Sequence, residues 1–357
     1  MSDNHVSDSH ERDSHERDSH ERDSHERDSH ERDSHELDRS PELPFSSEAV
    51  IEVRNLNHTY KGGYKALEDV NLICGVGVFG LLGPNGAGKS TLMRILCTLL
   101  KPEEGLVRVC GHDVNREQMA IRAQLGYLPQ DFGAWRLHRV GEVLDTLARL
   151  SGMRNKANRR ARVTEVLHDV GLDEVTDRKI KKLSGGMLRR LGVAQALIHE
   201  PRVIIVDEPT VGLDPEERIR FRNVMTDLGR DRTILLSTHI VADLGGACKD
   251  IALLDNGHII FQGPPSELVA RAVGHVFDVS VGETELEGIE SNYDIISSSV
   301  AGGSIRMRGV AGDRQLPLNA TVIQEPSLEE SYMAFMAARG RSSAARQDEE
   351  HTVEDSA

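Results

Sequence analysis

The central part of the chain alternates short apolar runs with longer segments whose apolar residues recur at helical spacing. Gly77–Leu82, Val203–Val206 and Thr233–Ser237 are short and mostly apolar, as is typical of strands buried on both faces. Ser90–Leu100 and Met187–His199 are predicted helices, and the second ends before a proline. Strands that alternate with helices in this way predict an α/β fold.

Two further segments carry different patterns. Ile51 and Val53 alternate with polar residues, which is typical of an edge strand. Residues 131–182 lack strand character and are rich in arginine, leucine and alanine, so we expect them to form a helical insertion.

The pattern changes again after about residue 272. Val276–Val281 and Ile305–Val310 are predicted strands, and Ser327–Glu330 has the sequence of a helix capping box. A helical face follows and ends at Gly340; its apolar residues are Leu328, Tyr332, Phe335 and Met336. We expect residues 273–340 to form a small accessory α+β domain, followed by a disordered acidic tail over residues 341–357.

The first 45 residues contain almost no apolar side chains. The five-residue unit Asp8–Arg12 occurs five times in succession, and an imperfect copy, Asp33–Leu37, follows. Because nothing here can offset the entropy of ordering, residues 1–45 are predicted to be a disordered tail. A histidine recurs every five residues among carboxylates, so metal sequestration is the alternative to a solvated repeat that arose by duplication.

The formal net charge of the 357 residues is −15, but most of it lies in the terminal segments. Residues 1–45 carry −9 and residues 341–357 carry −3, so about −3 is left for the predicted folded part. The four cysteines lie far apart without a C-x-x-C pair, which excludes a disulfide framework. The chain begins without a secretory signal pattern, and no apolar stretch approaches the ~20 residues of a membrane-spanning helix. We therefore expect neither a secreted protein nor an integral membrane protein.

A glycine-rich segment between the first predicted buried strand and a predicted helix matches the phosphate-binding pattern G-x-x-x-x-G-K-[S/T]. Backbone N–H groups of such a loop surround phosphate oxygens, and the helix N-terminus adds a favourable dipole. The lysine contacts the β- and γ-phosphates, and the serine hydroxyl binds Mg²⁺. The segment consists of Gly83, Pro84, Asn85, Gly86, Ala87, Gly88, Lys89, Ser90 and Thr91.

A second sequence element, which is acidic, lies 118 residues after Lys89. The apolar run that begins at Val203 ends in Asp207 and Glu208, at the strand end where α/β sheets bind ligands. We expect Asp207 to hold Mg²⁺ through water and Glu208 to polarise the attacking water. Together the two elements predict a nucleoside triphosphate hydrolase.

Leu183, Ser184, Gly185 and Gly186 precede the helix that leads into the Asp207 strand. Alone, this tetrapeptide is compatible with an ordinary helix cap. Between the two other elements it resembles the signature segment of ATP-binding-cassette (ABC) ATPases, which caps the γ-phosphate held by a second subunit. The resemblance covers about residues 50–270, although Met187 and Val211 depart from the commonest family residues.

The resemblance extends to single positions. Gln130 resembles the glutamine that touches Mg²⁺ or water, and Asp214 lies in a segment similar to the loop that crosses the dimer interface. His239 resembles the histidine that contacts the γ-phosphate, with a satisfied core histidine as the alternative. Tyr60 resembles the aromatic residue that stacks on adenine, and Tyr64 is its rival for this role.

The resemblance implies a P-loop (RecA-like) ABC ATPase core over residues 46–272, with an antiparallel β subdomain and the helical insertion. It also implies ATP and Mg²⁺, a second ABC ATPase domain, most simply a homodimer, and an integral-membrane permease that holds the chain at the cytoplasmic face of the membrane. The C-terminal segment resembles bacterial drug-export ATPases, so export is expected.

The alternative is an ABC ATPase that powers lipoprotein release or cell-envelope remodelling. No nucleic-acid partner is expected. A DNA-maintenance ABC ATPase would need a coiled coil between Lys89 and Ser184, which are only 95 residues apart.

Overall fold

The computed structural model describes residues 50–133, 135–301 and 303–340. The predicted disordered tails, residues 1–45 and 341–357, lie outside the described residues, so both stay predictions.

The described residues form strands and helices that we number in chain order. The strands are β1 (Ile51–Thr59), β2 (Lys65–Cys74), β3 (Gly77–Leu82), β4 (Glu104–Val109), β5 (His112–Asp113), β6 (Leu125–Leu128), β7 (Val203–Asp207), β8 (Thr233–Thr238), β9 (Asp250–Asp255), β10 (His258–Gly263), β11 (Val276–Val281), β12 (Asp294–Ala301), β13 (Ser304–Val310) and β14 (Thr321–Val322). The α-helices are α1 (Lys89–Leu96), α2 (Gln118–Arg122), α3 (Val140–Leu150), α4 (Lys156–Asp169), α5 (Gly185–Leu197), α6 (Pro215–Leu228), α7 (Pro265–Ala272), α8 (Leu286–Glu290) and α9 (Leu328–Ala338).

The central sheet has the order β10-β9-β3-β8-β7-β6, and its pairs are parallel except for β10 with β9. Every residue of β7 and β8 is buried, as their apolar sequences predicted. Ile204 and Val206 join a core cluster with residues of α5 and α6. Val203 and Ile205 point into a second cluster that contains residues of α1. Both faces of this sheet are therefore covered, and the predicted α/β fold is confirmed.

A second, antiparallel sheet has the order β2-β1-β4-β5. It shares the α1 cluster, which contains Ile51 and Val53 as well as Leu92. The expected edge position of β1 is wrong, because β1 pairs with β2 on one side and β4 on the other. Alternation of apolar and polar residues indicates that one face of a strand meets solvent. It contains no information about whether other strands pair with its two edges.

Helices α3 and α4 lie in the segment expected to be a helical insertion, and two 3₁₀ turns follow them. Buried arginines attach this segment to α5. Arg162 of α4 donates hydrogen bonds to Leu197 O (2.5 Å) and Ile198 O (3.3 Å) at the end of α5. These bonds satisfy carbonyl groups that a helix C-terminus leaves without intrahelical partners.

The third sheet has the order β12-β13-β11-β14 and is antiparallel. Strand β11 begins and ends at the predicted residues, and α9 begins with the predicted capping box: Ser327 Oγ accepts from Glu330 N (3.2 Å) and Ser327 N donates to Glu330 Oε2 (2.7 Å). Helix α9 packs on α7 and on the 3₁₀ turn Val241–Asp243. The boundary at residue 273 stays a prediction.

Among the described residues, no helix combines the length and the apolar character needed to cross a membrane.

Arg308 of β13 joins the third sheet to α9. Its guanidinium donates to both carboxylate oxygens of Asp278 (2.8 and 2.9 Å) and to Glu330 Oε1 (2.9 Å). The hydrogen bonds from Arg308 lower the pKa of Asp278. Burial raises the pKa of Glu330, but hydrogen bonds from Ser327 N and Arg308 outweigh burial and leave this pKa lowered.

We expect Arg308→Met to reduce the free energy of unfolding by about 1 kcal/mol near neutral pH, because the guanidinium is partly exposed and solvent screens it. The pKa values of Asp278 and Glu330 are both lowered in the folded protein. Their contribution to the free energy of unfolding is therefore present above the ordinary carboxyl pKa values, and it is lost as the pH falls through the lowered pKa values. Urea unfolding at about pH 7 and below about pH 3 should therefore show the difference between wild type and variant shrinking in acid. Arg116→Met, which removes an exposed arginine outside the third sheet, is the control. A difference that persists undiminished in acid would contradict this account.

Candidate active site

The glycine-rich loop connects β3 to α1 and passes very close to neighbouring backbone. A Cβ atom on Gly83 would lie 2.1 Å from Leu254 O, and one on Gly88 would lie 2.5 Å from Ala66 O. Gly88 also caps α1 with φ +107°, a conformation that favours glycine. Both positions therefore need glycine for the loop to close around the N-terminus of α1.

Lys89, the first residue of α1, is buried beneath this loop. Its Nζ donates to Gly83 O (2.7 Å) and Pro84 O (3.0 Å) and lies 3.4 Å from Glu208 Oε1. Burial lowers the pKa of Lys89, and the nearby Glu208 carboxylate opposes this shift. The lysine is thus a desolvated cation held at the loop, where an anionic phosphate would meet it.

Asp207 and Glu208 follow one another at the carboxyl end of β7, beside the end of β8. Ser237 of β8 joins them: its hydroxyl donates to Asp207 Oδ1 (2.5 Å) and accepts from Glu208 N (3.0 Å). Glu208 has φ +43°, a conformation that is uncommon for a residue with a side chain. Ser237 thereby helps to hold the backbone that aims the Glu208 carboxylate, a role that the sequence did not single out.

His239 follows β8 and contacts the same carboxylate. Its Nδ1 lies 3.0 Å from Glu208 Oε2, whereas Lys89 lies on the Oε1 side. The His239 side chain is 39% exposed, so the alternative of a satisfied core histidine does not fit. The structure therefore brings three predicted catalytic residues together from the ends of three neighbouring parallel strands.

A cavity of about 370 Å³ opens beside Lys89, and we call it the Lys89 cavity. Most of its lining comes from residues predicted to bind nucleotide. It is lined by Tyr64, Ala66, Asn85, Gly86, Gly88, Lys89, Ser90, Thr91, Gln130 and Glu208.

The two candidate adenine-stacking residues differ in their placement. Tyr60 does not line the Lys89 cavity, but its hydroxyl lies 3.2 Å from Thr91 Oγ1, which does. Tyr64 lines the cavity itself, is 59% exposed and donates a hydrogen bond to Gly86 O (3.0 Å). Both rings therefore border the glycine-rich loop.

The residues predicted to hold Mg²⁺ offer oxygen donors of the kind this ion prefers. Ser90 and Gln130 line the Lys89 cavity, and Asp207 lies buried at the end of β7. In the described ranges there is no group of three or more His, Cys, Asp or Glu side chains able to hold a metal ion. Mg²⁺ usually retains several waters and takes one or two carboxylates plus substrate phosphates, so the donor set fits this ion.

The remaining predicted residues lie at the first turns of α5 and α6. Ser184 caps α5 by accepting from Met187 N (3.2 Å), and because it accepts this bond its own O–H stays available as a donor. Asp214 caps α6 by accepting from Glu217 N (2.9 Å). Ser184, Gly185, Gly186 and Asp214 are all absent from the lining of the Lys89 cavity.

A second cavity of about 530 Å³ lies beside these caps, and we call it the signature cavity. Gly185 of α5 and Gly212 of the segment before α6 line it, together with Gln130. Gln130 thus lines both cavities, and its carbonyl accepts a hydrogen bond from Arg189 of α5 (2.5 Å). Within one chain, the predicted site residues therefore fall into two groups, one at the Lys89 cavity and one at the signature cavity.

Comparison with known proteins agrees with this geometry. The profile of the ABC transporter family matches residues 67–211. Nod factor export ATP-binding protein I of Paraburkholderia xenovorans is 37% identical over 64% of this chain and 75% of its own length. Daunorubicin resistance ATP-binding protein DrrA3 of Streptomyces coeruleorubidus is 34% identical over 76% of this chain and 91% of its own length.

Solved structures show the same architecture. The cbiO1 protein of Clostridium perfringens, part of the ABC transporter complex cbiONQ, superposes with a TM-score of 0.58 at 28% identity, over 63% of this chain and 92% of cbiO1. A dimeric ATP-binding cassette solved after hydrolysis with ADP and Pi gives a TM-score of 0.55 at 28% identity, over 60% of this chain and 98% of its own. With its loop, its acidic strand end and these relatives, the chain belongs to the ABC transporter family as an ATP-binding subunit.

Proposed function

We propose that this chain hydrolyses ATP at two sites, each formed between two copies of the chain, and that this cycle drives a separate membrane permease. One observation carries the proposal: Lys89 and the Ser184–Gly186 segment line or border different cavities of one chain. Because the resemblance assigns the signature segment to the γ-phosphate, a complete site in this proposal takes the α5 N-terminus of a second copy opposite the glycine-rich loop. A solved relative of the same cassette type is dimeric, which agrees with this proposal.

In the proposed reaction, the glycine-rich loop and Lys89 bind the phosphates of ATP through backbone N–H groups and the buried ammonium. Ser90, Gln130 and Asp207 would hold Mg²⁺, which neutralises charge on the phosphates when bound. Glu208 orients the attacking water and accepts its proton, because its carboxylate is buried and lies beside the loop. His239 contacts that carboxylate through Nδ1, and we propose that it also contacts the terminal phosphate, as the resemblance implies.

We propose export as the direction of transport, with the chain peripheral on the inner face of the membrane through its permease. Two relatives are named for Nod factor export and for daunorubicin resistance. The match to the second covers nearly its whole length, so the similarity is not confined to the ATPase core. Purification of the chain with a multi-span membrane partner, followed by transport assays in vesicles, tests this part. Lipoprotein release or envelope remodelling without export would contradict it.

Glu208→Gln should lower the rate of ATP hydrolysis by at least ~100-fold, because the amide cannot accept the proton of the attacking water. ATP binding should persist, and the ATP-bound pair of chains should accumulate. Steady-state phosphate release and light scattering with ATP and Mg²⁺ measure the two effects. Glu290→Gln, which neutralises an exposed carboxylate of α8, is the matched control. Hydrolysis by Glu208→Gln at nearly the wild-type rate would refute the assigned role.

We propose that Tyr60 stacks on the adenine ring, as the resemblance implies. Tyr60→Ala should then raise the KM for ATP about tenfold, since a base–aromatic stack contributes roughly 1–3 kcal/mol. Tyr64→Ala, which removes a hydrogen bond to the loop at Gly86 O, should raise the KM less, and Tyr60→Phe should behave as wild type. A rise in KM for Tyr64→Ala alone would assign the stacking role to Tyr64.

Deletion of residues 1–44 should leave ATP hydrolysis close to that of the full chain, because the repeat contains none of the proposed site residues. Steady-state phosphate release by the two forms, at matched protein concentration, measures this. A large loss of activity in the shortened chain would show that the repeat takes part in the ATPase cycle.

A further inference from the structure

Glu217, in the first turn of α6, makes contacts that the proposed mechanism does not use. Its side chain is only 15% exposed, although glutamate is usually a surface residue. Oε2 lies 3.4 Å from Arg190 Nη2 of α5, and Oε1 lies 3.3 Å from Arg220 Nη1. A partly buried carboxylate between two guanidinium groups is held in one position rather than left to solvent.

The same carboxylate lies directly against the signature segment. A Cβ atom built on Gly186 would lie only 2.1 Å from Glu217 Oε2 and 2.4 Å from its carboxyl carbon. Any side chain at position 186 would displace Glu217, so this glycine allows the first turns of α5 and α6 to touch.

Arg190 extends the connection to the helical insertion. It is buried, and its Nη1 donates to Val170 O (3.1 Å) and Gly171 O (2.8 Å), just after α4. Its guanidinium therefore contacts the end of α4 and the start of α6 while its backbone belongs to α5. A buried arginine of this kind needs a counter-charge, and Glu217 is the carboxylate within ion-pair distance of it among the described residues.

Glu217 also holds the cap of its own helix. Its backbone N–H donates to Asp214 Oδ1 (2.9 Å), so the residue contacts Asp214 through its main chain and Gly186 through its side chain. These are the two segments that a second copy of the chain would meet in the proposed ATP-bound pair. Glu217 thus connects the two segments within one chain.

We propose that Glu217, through its contact with Arg190, is a positioning residue. It fixes the signature segment relative to Asp214 at the N-terminus of α6, so that both can pair with the second chain. This inference rests on the proposed function. Glu217 does not line the Lys89 cavity, so its loss affects ATP-dependent pairing and leaves nucleotide binding by the glycine-rich loop of the same chain intact.

The test uses the full chain with Glu208→Gln as the parent, because this change arrests hydrolysis and isolates pairing. Glu217→Gln keeps the side-chain shape against Gly186 and removes the charge that faces Arg190. Glu216→Gln is the matched control, since Glu216 lies one residue away in an exposed ion pair with Arg220. Sedimentation velocity over a range of protein concentrations, with ATP and Mg²⁺, measures the dissociation constant of the pair. Titration with a fluorescent ADP analogue measures nucleotide binding by the single chain.

We expect Glu217→Gln to raise the dissociation constant of the ATP-bound pair about tenfold, with unchanged ADP affinity and no change in Glu216→Gln. Glu217→Asp keeps the charge but shortens its reach and should weaken pairing less, which provides a second variant if the first folds poorly. If the parent pairs and Glu217→Gln pairs equally well, or if ADP affinity falls in step with pairing, the positioning role is wrong. If the parent itself does not pair with ATP, the proposed function fails, and this inference fails with it.

Discussion

The proposed catalytic edge of this protein depends on the placement of one buried carboxylate. Glu208 is 7% exposed, and an ionised carboxylate removed from water is costly unless positive or hydrogen-bonding groups surround it. Lys89 lies at one of its oxygens and His239 at the other, while Ser237 binds its backbone N–H. These partners come from α1 and from β8 and its end, so the carboxylate ties together the segments that follow β3, β7 and β8.

The parallel order of these strands makes the arrangement possible. Strands β3, β8 and β7 are adjacent, and their carboxyl ends meet at one edge of the sheet. Full burial of β7 and β8 fixes their register, which sets Asp207 beside Ser237. The hydrophobic pattern that builds the core thus also determines which polar side chains can meet at its end.

In the proposed reaction, a second constraint is that the two halves of the phosphate site lie apart within one chain. The loop with Lys89 lines the Lys89 cavity, and the first turn of α5 lines the signature cavity. Gln130 lines both cavities. Arg190 and Glu217 connect the α5 half to the end of α4 and to α6.

Much of this arrangement could be predicted from the sequence, because strands β3, β7 and β8 are apolar and the loop glycines have fixed spacing. Strand β6 was missed because its four residues are too few to show a period, and β12 because serines fill its centre. Helix α1 ends at Leu96 rather than Leu100, since Thr98 adopts φ +58°. The hydrogen bond of Ser237 to Asp207 and the contact of Glu217 with Gly186 each join residues about thirty positions apart. Local sequence patterns cannot predict which of such distant residues meet.

The central claim is that two chains complete each other's ATP sites. A crystal structure of Glu208→Gln with ATP and Mg²⁺ tests it most directly. Two ATP molecules should lie between two chains, each bound by the Lys89 loop of one chain, with Ser184 Oγ of the other chain within about 3 Å of a γ-phosphate oxygen. A structure in which each ATP contacts only one chain, with Ser184 of the second chain far from the phosphates, would contradict it.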